Sequence, residues 1–251
     1  MPRMSQPARL PPSPPPPIVQ RISGQGPRTP DFTLTVSPQA VADSFRAAIA
    51  ARESHADPYP WWLLENLLPK DAVRELATLP FDAPSLEGVS GRRELHNDTR
   101  SYFDAQGQAK HPIMRSIAEA LQSRPVTRAI HEAFNAPIDD TFLRLEYALD
   151  SDGFWLEPHT DLGVKKFTCL VYLTEGHEDL GTDIYRSKDE YFGRSPFRPG
   201  LAMIFVPSDR TWHGFEKRPI KGVRRSMILN YVTRDWRARE QLSFPDETVR
   251  L

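Results

Sequence analysis

The chain has 251 residues, a formal net charge of -1 from 32 Lys and Arg against 33 Asp and Glu, and a single cysteine, Cys169. Its length suffices for one domain with a sizeable core, and its charge balance gives no electrostatic reason to expect nucleic acid or an anionic membrane as partner. One cysteine excludes an intrachain disulfide and a Cys-rich zinc framework, and no run approaches the roughly 18 apolar residues that a membrane helix needs. No apolar core follows Arg3 and Arg9, so a signal peptide is not expected, and a reducing, cytoplasmic setting is the simplest reading.

Residues 1–32 hold 10 of the 25 prolines, including "LPPSPPPPI". A polyproline II segment of this kind buries too little apolar area to offset its ordering entropy and reads as a disordered tail, with a docking ligand for an aromatic groove as the alternative. Residues 33–251 read as a single domain. Ser37 is placed to cap a helix whose first turn holds Pro38 and whose stripe is Val41, Phe45, Ala48 and Ile49. "PWWLLENLLP" then reads as a strand and "LPKDAVRELATL" as a helix, through Val73, Leu76 and Ala77. "RRELHNDTRSYFD" alternates as a strand does, and "DAQGQAK" reads as a loop. Ile113, Ile117 and Leu121 recur at helical spacing and, after a break at Pro125, so do Val126, Ile130 and Phe134.

Beyond Pro137 the period changes. "DTFLRLEYALD", "KKFTCLVYLTE", "GTDIYR", "GLAMIFVP" and "RRSMILNYV" are short β-branched and aromatic runs separated by Gly, Pro, Asp or Ser. The expected class is α+β, with a helical layer over about 37–135 supporting an antiparallel sandwich over about 140–235.

Within "EPHTDLGVKKF", His159 and Asp161 lie two apart, so on a strand an imidazole and a carboxylate would share one face. His-x-Asp alone arises often by chance. A second imidazole stands 52 residues later, His213 in "TWHGF", beside another expected strand. Two imidazoles and one carboxylate on one face of an octahedral ion leave three positions open, the arrangement of non-haem Fe(II) oxygenases.

"HTD", the distal histidine in "WHGF" and "GVRRS" on the next strand together resemble the 2-oxoglutarate and Fe(II)-dependent oxygenase superfamily, near its prolyl-hydroxylase-like branch. The likeness covers roughly residues 140–235. It implies a double-stranded β-helix, or jelly roll, with His159, Asp161 and His213 as metal ligands. It also implies Fe(II), 2-oxoglutarate and O2 as cofactor and cosubstrates, with ascorbate as an accessory, and a reaction in which decarboxylation of 2-oxoglutarate to succinate and CO2 drives hydroxylation of a substrate.

In that family an Arg or Lys about ten residues beyond the distal histidine grips the far carboxylate of 2-oxoglutarate, often with a hydroxyl two residues on. Arg224 and Ser226 match. Strand parity groups Arg224, Ser226, Ile228 and Asn230 on one face and Arg225, Met227, Leu229 and Tyr231 on the other, and a one-residue slip would exchange the two arginines. Tyr147 and Tyr172 are further candidates for hydrogen bonds to the cosubstrate, each with a core tyrosine as the alternative. Asn97, Arg100 and Tyr102 are the candidate substrate contacts, against a solvated strand edge. His55, His96, His111, His131 and His177 have no partners at ligand spacing, and Cys169 reads as a small core residue. The segment 186–200, "RSKDEYFGRSPFRPG", reads as a lid or a plain surface loop. The expected partner is a small-molecule or amino-acid-like substrate, with a protein side chain as the other option. Two rival functions share the site: a non-catalytic jelly-roll binding module, and a zinc hydrolase using the same two histidines and aspartate.

Overall fold

The computed structural model describes residues 36–83, 100–161, 163–176 and 178–251. The expected tail at 1–32 lies outside them, as do Asn97, His96 and His177. Ser37 caps the first helix, its hydroxyl accepting from the Ala40 amide at 3.2 Å, and α1 (Pro38–Ala50) buries Val41, Ala42, Phe45, Ala48 and Ile49. Strands β1 (Glu53–His55) and β2 (Trp61–Leu64) follow, then helix α2 (Lys70–Ala77) and strand β3 (Arg100–Tyr102).

"DAQGQAK", read as a loop, is a short helix, α3 (Ala105–Lys110). The Asp104 side chain accepts from the Gly107 amide at 2.7 Å, a cap that supplies what propensity lacks. Gly107 is required by packing, since a Cβ there would meet the Tyr102 carbonyl at 2.5 Å. Helices α4 (Pro112–Gln122) and α5 (Arg124–Phe134) bury the expected stripes, but they part at Ser123, with Pro125 inside the first turn of α5. A proline in a first turn forfeits no intrahelical hydrogen bond.

Apart from two 3-10 turns, at Glu178–Leu180 and Arg239–Gln241, the elements of the second half are strands: β4 (Phe142–Asp150), β5 (Leu156–His159), β6 (Lys165–Tyr172), β7 (Asp183–Ser187), β8 (Glu190–Arg194), β9 (Ala202–Phe205), β10 (His213–Phe215) and β11 (Arg224–Val232). Two antiparallel sheets result, a seven-stranded one ordered β1-β2-β9-β6-β11-β4-β3 and a four-stranded one ordered β5-β10-β7-β8. They form the jelly roll, and the helices back the larger sheet. Segment 186–200 is for the most part the β7–β8 hairpin, whose Tyr191 and Phe192 are exposed, followed by the buried Ser195 and Phe197.

Side-chain parity sorts the larger sheet into two chemistries. Odd residues of β4 (Leu143, Leu145, Tyr147, Leu149), of β6 (Phe167, Cys169, Val171) and of β11 (Met227, Leu229, Tyr231) join one core with Phe45, Ile117, Leu121 and Ile130 of the helices. Two hydroxyls tie the layers together, Tyr147 donating to the Leu76 carbonyl and Tyr231 to the Leu121 carbonyl, each at 2.6 Å. The opposite face looks into the roll. There Tyr172, Met203 and Phe205 pack against Ile184 and Phe215 of the smaller sheet. All nine residues of β4 are buried, so the even positions Arg144, Glu146 and Asp150 carry charge into the interior.

Candidate metal centre and adjoining cavity

Strand pairing brings the two histidines together. His213 on β10 is the cross-strand partner of His159 on β5, and their ring centroids lie 4.3 Å apart. Gly214 allows this approach, because a Cβ there would come 2.8 Å from the Leu156 carbonyl. Asp161 lies just past the end of β5 rather than on it, so shared strand parity does not bring it to His159; the turn after His159 does. One ligand atom from each of His159, Asp161 and His213 falls within 4.8 Å of the others.

Each imidazole is oriented by a main-chain carbonyl two residues earlier. His159 Nδ1 lies 2.9 Å from the Glu157 carbonyl, and His213 Nδ1 lies 2.9 Å from the Thr211 carbonyl. A carbonyl can only accept, so Nδ1 carries the proton and Nε2 is left with the lone pair, the tautomer a metal requires. Burial, followed by the neighbouring His159, pushes the pKa of His213 down to about 3, so this ring is neutral at ordinary pH. Asp161 is held at both oxygens: Lys165 donates to Oδ1, and the Thr168 hydroxyl donates to Oδ2 at 2.6 Å. Asn230 extends the chain, donating to Thr168 Oγ1 at 2.9 Å. Two imidazoles that each commit Nδ1 to a carbonyl, one of them the neutral His213, beside a fixed carboxylate fit a divalent cation.

His213 also borders a cavity between the sheets, lined by Arg224, Ser226, Ile228, Leu170, Thr182, Phe154, Leu156 and Phe215, and on its far wall by Arg100, Glu146 and Asp150. Register places Arg224, not Arg225, on this wall. The Arg224 guanidinium is already engaged: Nε donates to the Leu180 carbonyl at 2.8 Å and Nη1 to Asp150 Oδ2 at 2.5 Å. It lies over the Phe215 ring, 4.8 Å from its centroid. Two of the three guanidinium nitrogens are therefore taken, and Nη2 is the one these contacts leave over.

Tyr147 is not brought to the site. Its odd position turns it to the helical core, where burial pushes the phenol up to about 12 and its hydroxyl donates to the Leu76 carbonyl. Tyr172 is one layer behind the cavity, its hydroxyl 2.8 Å from Thr182 Oγ1 and 2.6 Å from Ser195 Oγ. Its ring stacks with the Arg224 guanidinium at 5.5 Å. Arg100 reaches the cavity; Tyr102 instead lies against Arg144, 4.9 Å from its ring centroid. Sequence reading missed Lys165, Thr168, Glu146 and Asp150. Parity along "FLRLEYALD" was the available signal, since it sets Arg144, Glu146 and Asp150 on one face of a strand with the apolar residues on the other.

The comparisons with known proteins bear on this architecture. A prolyl 4-hydroxylase of Phytophthora capsici superposes with a TM-score of 0.52, at 15% identity over 84% of this chain and 70% of that one. A Trichoplax adhaerens prolyl hydroxylase, solved with a peptide of the hypoxia inducible factor oxygen degradation domain, superposes with a TM-score of 0.51, at 13% identity over 80% of this chain and 93% of that one. The fold is that of the prolyl hydroxylases. The two antiparallel sheets are arranged here as in that fold, and identity this low speaks to architecture alone. No protein-family model matches the chain. A pre-mRNA-splicing factor ISY1 homolog of Dictyostelium discoideum is 26% identical over 164 residues, and the match spans 60% of this chain and 48% of that protein, about half its length. Among the described residues no helix is long and apolar enough to cross a membrane.

Proposed function

We propose that the protein is a 2-oxoglutarate- and Fe(II)-dependent dioxygenase that hydroxylates its substrate and releases succinate and CO2. One observation carries this reading: His213 belongs at once to the ligand cluster with His159 and Asp161 and to the lining of a cavity bearing a buried arginine and a serine. A metal-only hydrolase or a binding module would leave Arg224 with only its structural contacts to Asp150 and Leu180, whereas a cosubstrate carboxylate gives the remaining Nη2 a partner.

His159 and His213 would hold the metal through Nε2, and Asp161 through a carboxylate oxygen. When bound, iron and 2-oxoglutarate supply the activation of O2 and the oxidising power. The protein's part is placement. Arg224 Nη2 and the Ser226 hydroxyl would receive the distal carboxylate, and Phe154, Leu156, Leu170, Phe215 and Ile228 keep water from the cavity and strengthen the charge pairing inside it. Tyr172, fixed by Thr182 and Ser195, supports the guanidinium from behind. The substrate belongs to the class of small molecules, amino acids or protein side chains that this fold accommodates at its mouth.

Anaerobic titration of the protein with Fe(II) and then 2-oxoglutarate tests the reading. A weak visible charge-transfer band that saturates with 2-oxoglutarate is the expected result, and Fe(II) binding with no response to 2-oxoglutarate would defeat it.

A further inference from the structure

Asp150 sits between two arginines. Its Oδ2 accepts from Arg224 Nη1 at 2.5 Å and its Oδ1 from Arg100 Nη1 at 2.9 Å. Arg100 also reaches Glu146 at 3.4 Å, and Glu146 is paired with Arg144 at 2.7 Å. All five side chains are at least nine-tenths buried, Arg100 being the most exposed at 9%. Among the described residues the series therefore contains three guanidiniums against two carboxylates, one positive charge in excess within a low-dielectric interior. Lys165 and Asp161 nearby compensate each other. A buried excess charge is costly unless a partner arrives, and the cavity at the Arg224 end opens toward the candidate metal centre.

We propose that Asp150 and Arg100 are positioning residues for 2-oxoglutarate: Asp150 holds Arg224 through Nη1, and Arg100 offsets the charge of Asp150, so that the cavity presents one unmatched positive charge to one incoming carboxylate. This rests on the function proposed above. Without Arg100, Asp150 would set its whole negative charge against Arg224 a few ångströms from where the cosubstrate's carboxylate must lie, and like charges in a dry site repel strongly. The same balance explains why a dicarboxylate is suited. One carboxylate would go to the metal held by His159, Asp161 and His213, and the other would complete the buried series.

The experiment measures the dissociation constant for 2-oxoglutarate by titration calorimetry on full-length protein loaded with Mn(II) under anaerobic conditions, for wild type, R100Q, R100K and the double variant R100Q/D150N. R100Q should weaken 2-oxoglutarate by about tenfold or more while leaving Mn(II) affinity as in wild type, and R100K, which keeps the charge, should stay within about threefold of wild type. Removing the carboxylate along with the arginine should restore R100Q/D150N to within about threefold of wild type. Wild-type affinity in R100Q, or a double variant as weak as R100Q, overturns the charge-balance role. Should R100Q fail to fold, D150A and R100K decide: a loss of about tenfold or more in D150A, which releases Arg224 Nη1, with R100K within about threefold of wild type upholds the inference, and wild-type affinity in D150A or a loss of about tenfold in R100K refutes it. Absence of 2-oxoglutarate binding in the wild type would instead refute the proposed function itself.

Discussion

His159 and His213 face each other across paired strands, each with Nδ1 committed to a carbonyl two residues before it. The arrangement is set by backbone geometry more than by any long-range side-chain contact. Both lone pairs are therefore directed before a metal arrives.

It follows that alanine at either histidine, or at Asp161, removes a donor from a prearranged set rather than collapsing a site that the metal builds. Calorimetric titration with Mn(II) should show the affinity of H159A, D161A and H213A reduced by at least about 100-fold. Their far-ultraviolet circular dichroism should match wild type. Tight metal binding by any of these variants would separate that residue from the centre.

Arg224 and Arg225 are adjacent in sequence and opposite in space, the first on the cavity wall, the second beside the phenol of Tyr147. R224A should abolish measurable 2-oxoglutarate binding to the Mn(II) protein, and R225A should leave it within about threefold. The reverse pattern would mean that the strand register differs from that described.

Tyr147 belongs to the core, where its hydroxyl satisfies the Leu76 carbonyl. Tyr147→Phe should cost about 1 kcal/mol in urea unfolding, the usual net worth of one buried hydrogen bond, and leave 2-oxoglutarate affinity unchanged. A weakened affinity with unaltered stability would return Tyr147 to the site.

Cys169 is fully buried on the helical face of β6, and burial pushes its thiol far above the ordinary range. The thiolate is the reactive form, so a thiol reagent such as dithionitrobenzoate should label native protein slowly and label it completely once urea unfolds it. Rapid labelling of the native state would place the sulfur in a different environment.

Much of the fold was legible in the chain. The four-residue recurrence of Ile113, Ile117 and Leu121 and the cap at Ser37 express α4 and α1 directly, because helices are specified by contacts within one turn of each other. The loop assigned to "DAQGQAK" was wrong for a local reason. A six-residue helix has too few apolar positions to show a period, and it is held by the Asp104 cap and by Gln108, whose side chain donates to the Phe103 and Ser243 carbonyls. The tyrosines show a different limit: Tyr147 and Tyr172 are both on strands, and parity alone does not say which face is interior until the helices are docked.

By itself the sequence singled out the candidate side chains, a His-x-Asp pair, a distal histidine and an arginine after it, in a chain whose strand spacing is that of an antiparallel sandwich. Only the tertiary structure decided what those side chains meet. Pairing of β5 with β10 closed the distance between two histidines that lie far apart in the chain, and the register of β11 chose Arg224 over Arg225. It also set Asp150 and Arg100 around that guanidinium, because the ion pairs of a buried cavity depend on which strands are neighbours, and neighbouring strands are fixed by packing over the whole domain rather than by any local run of residues.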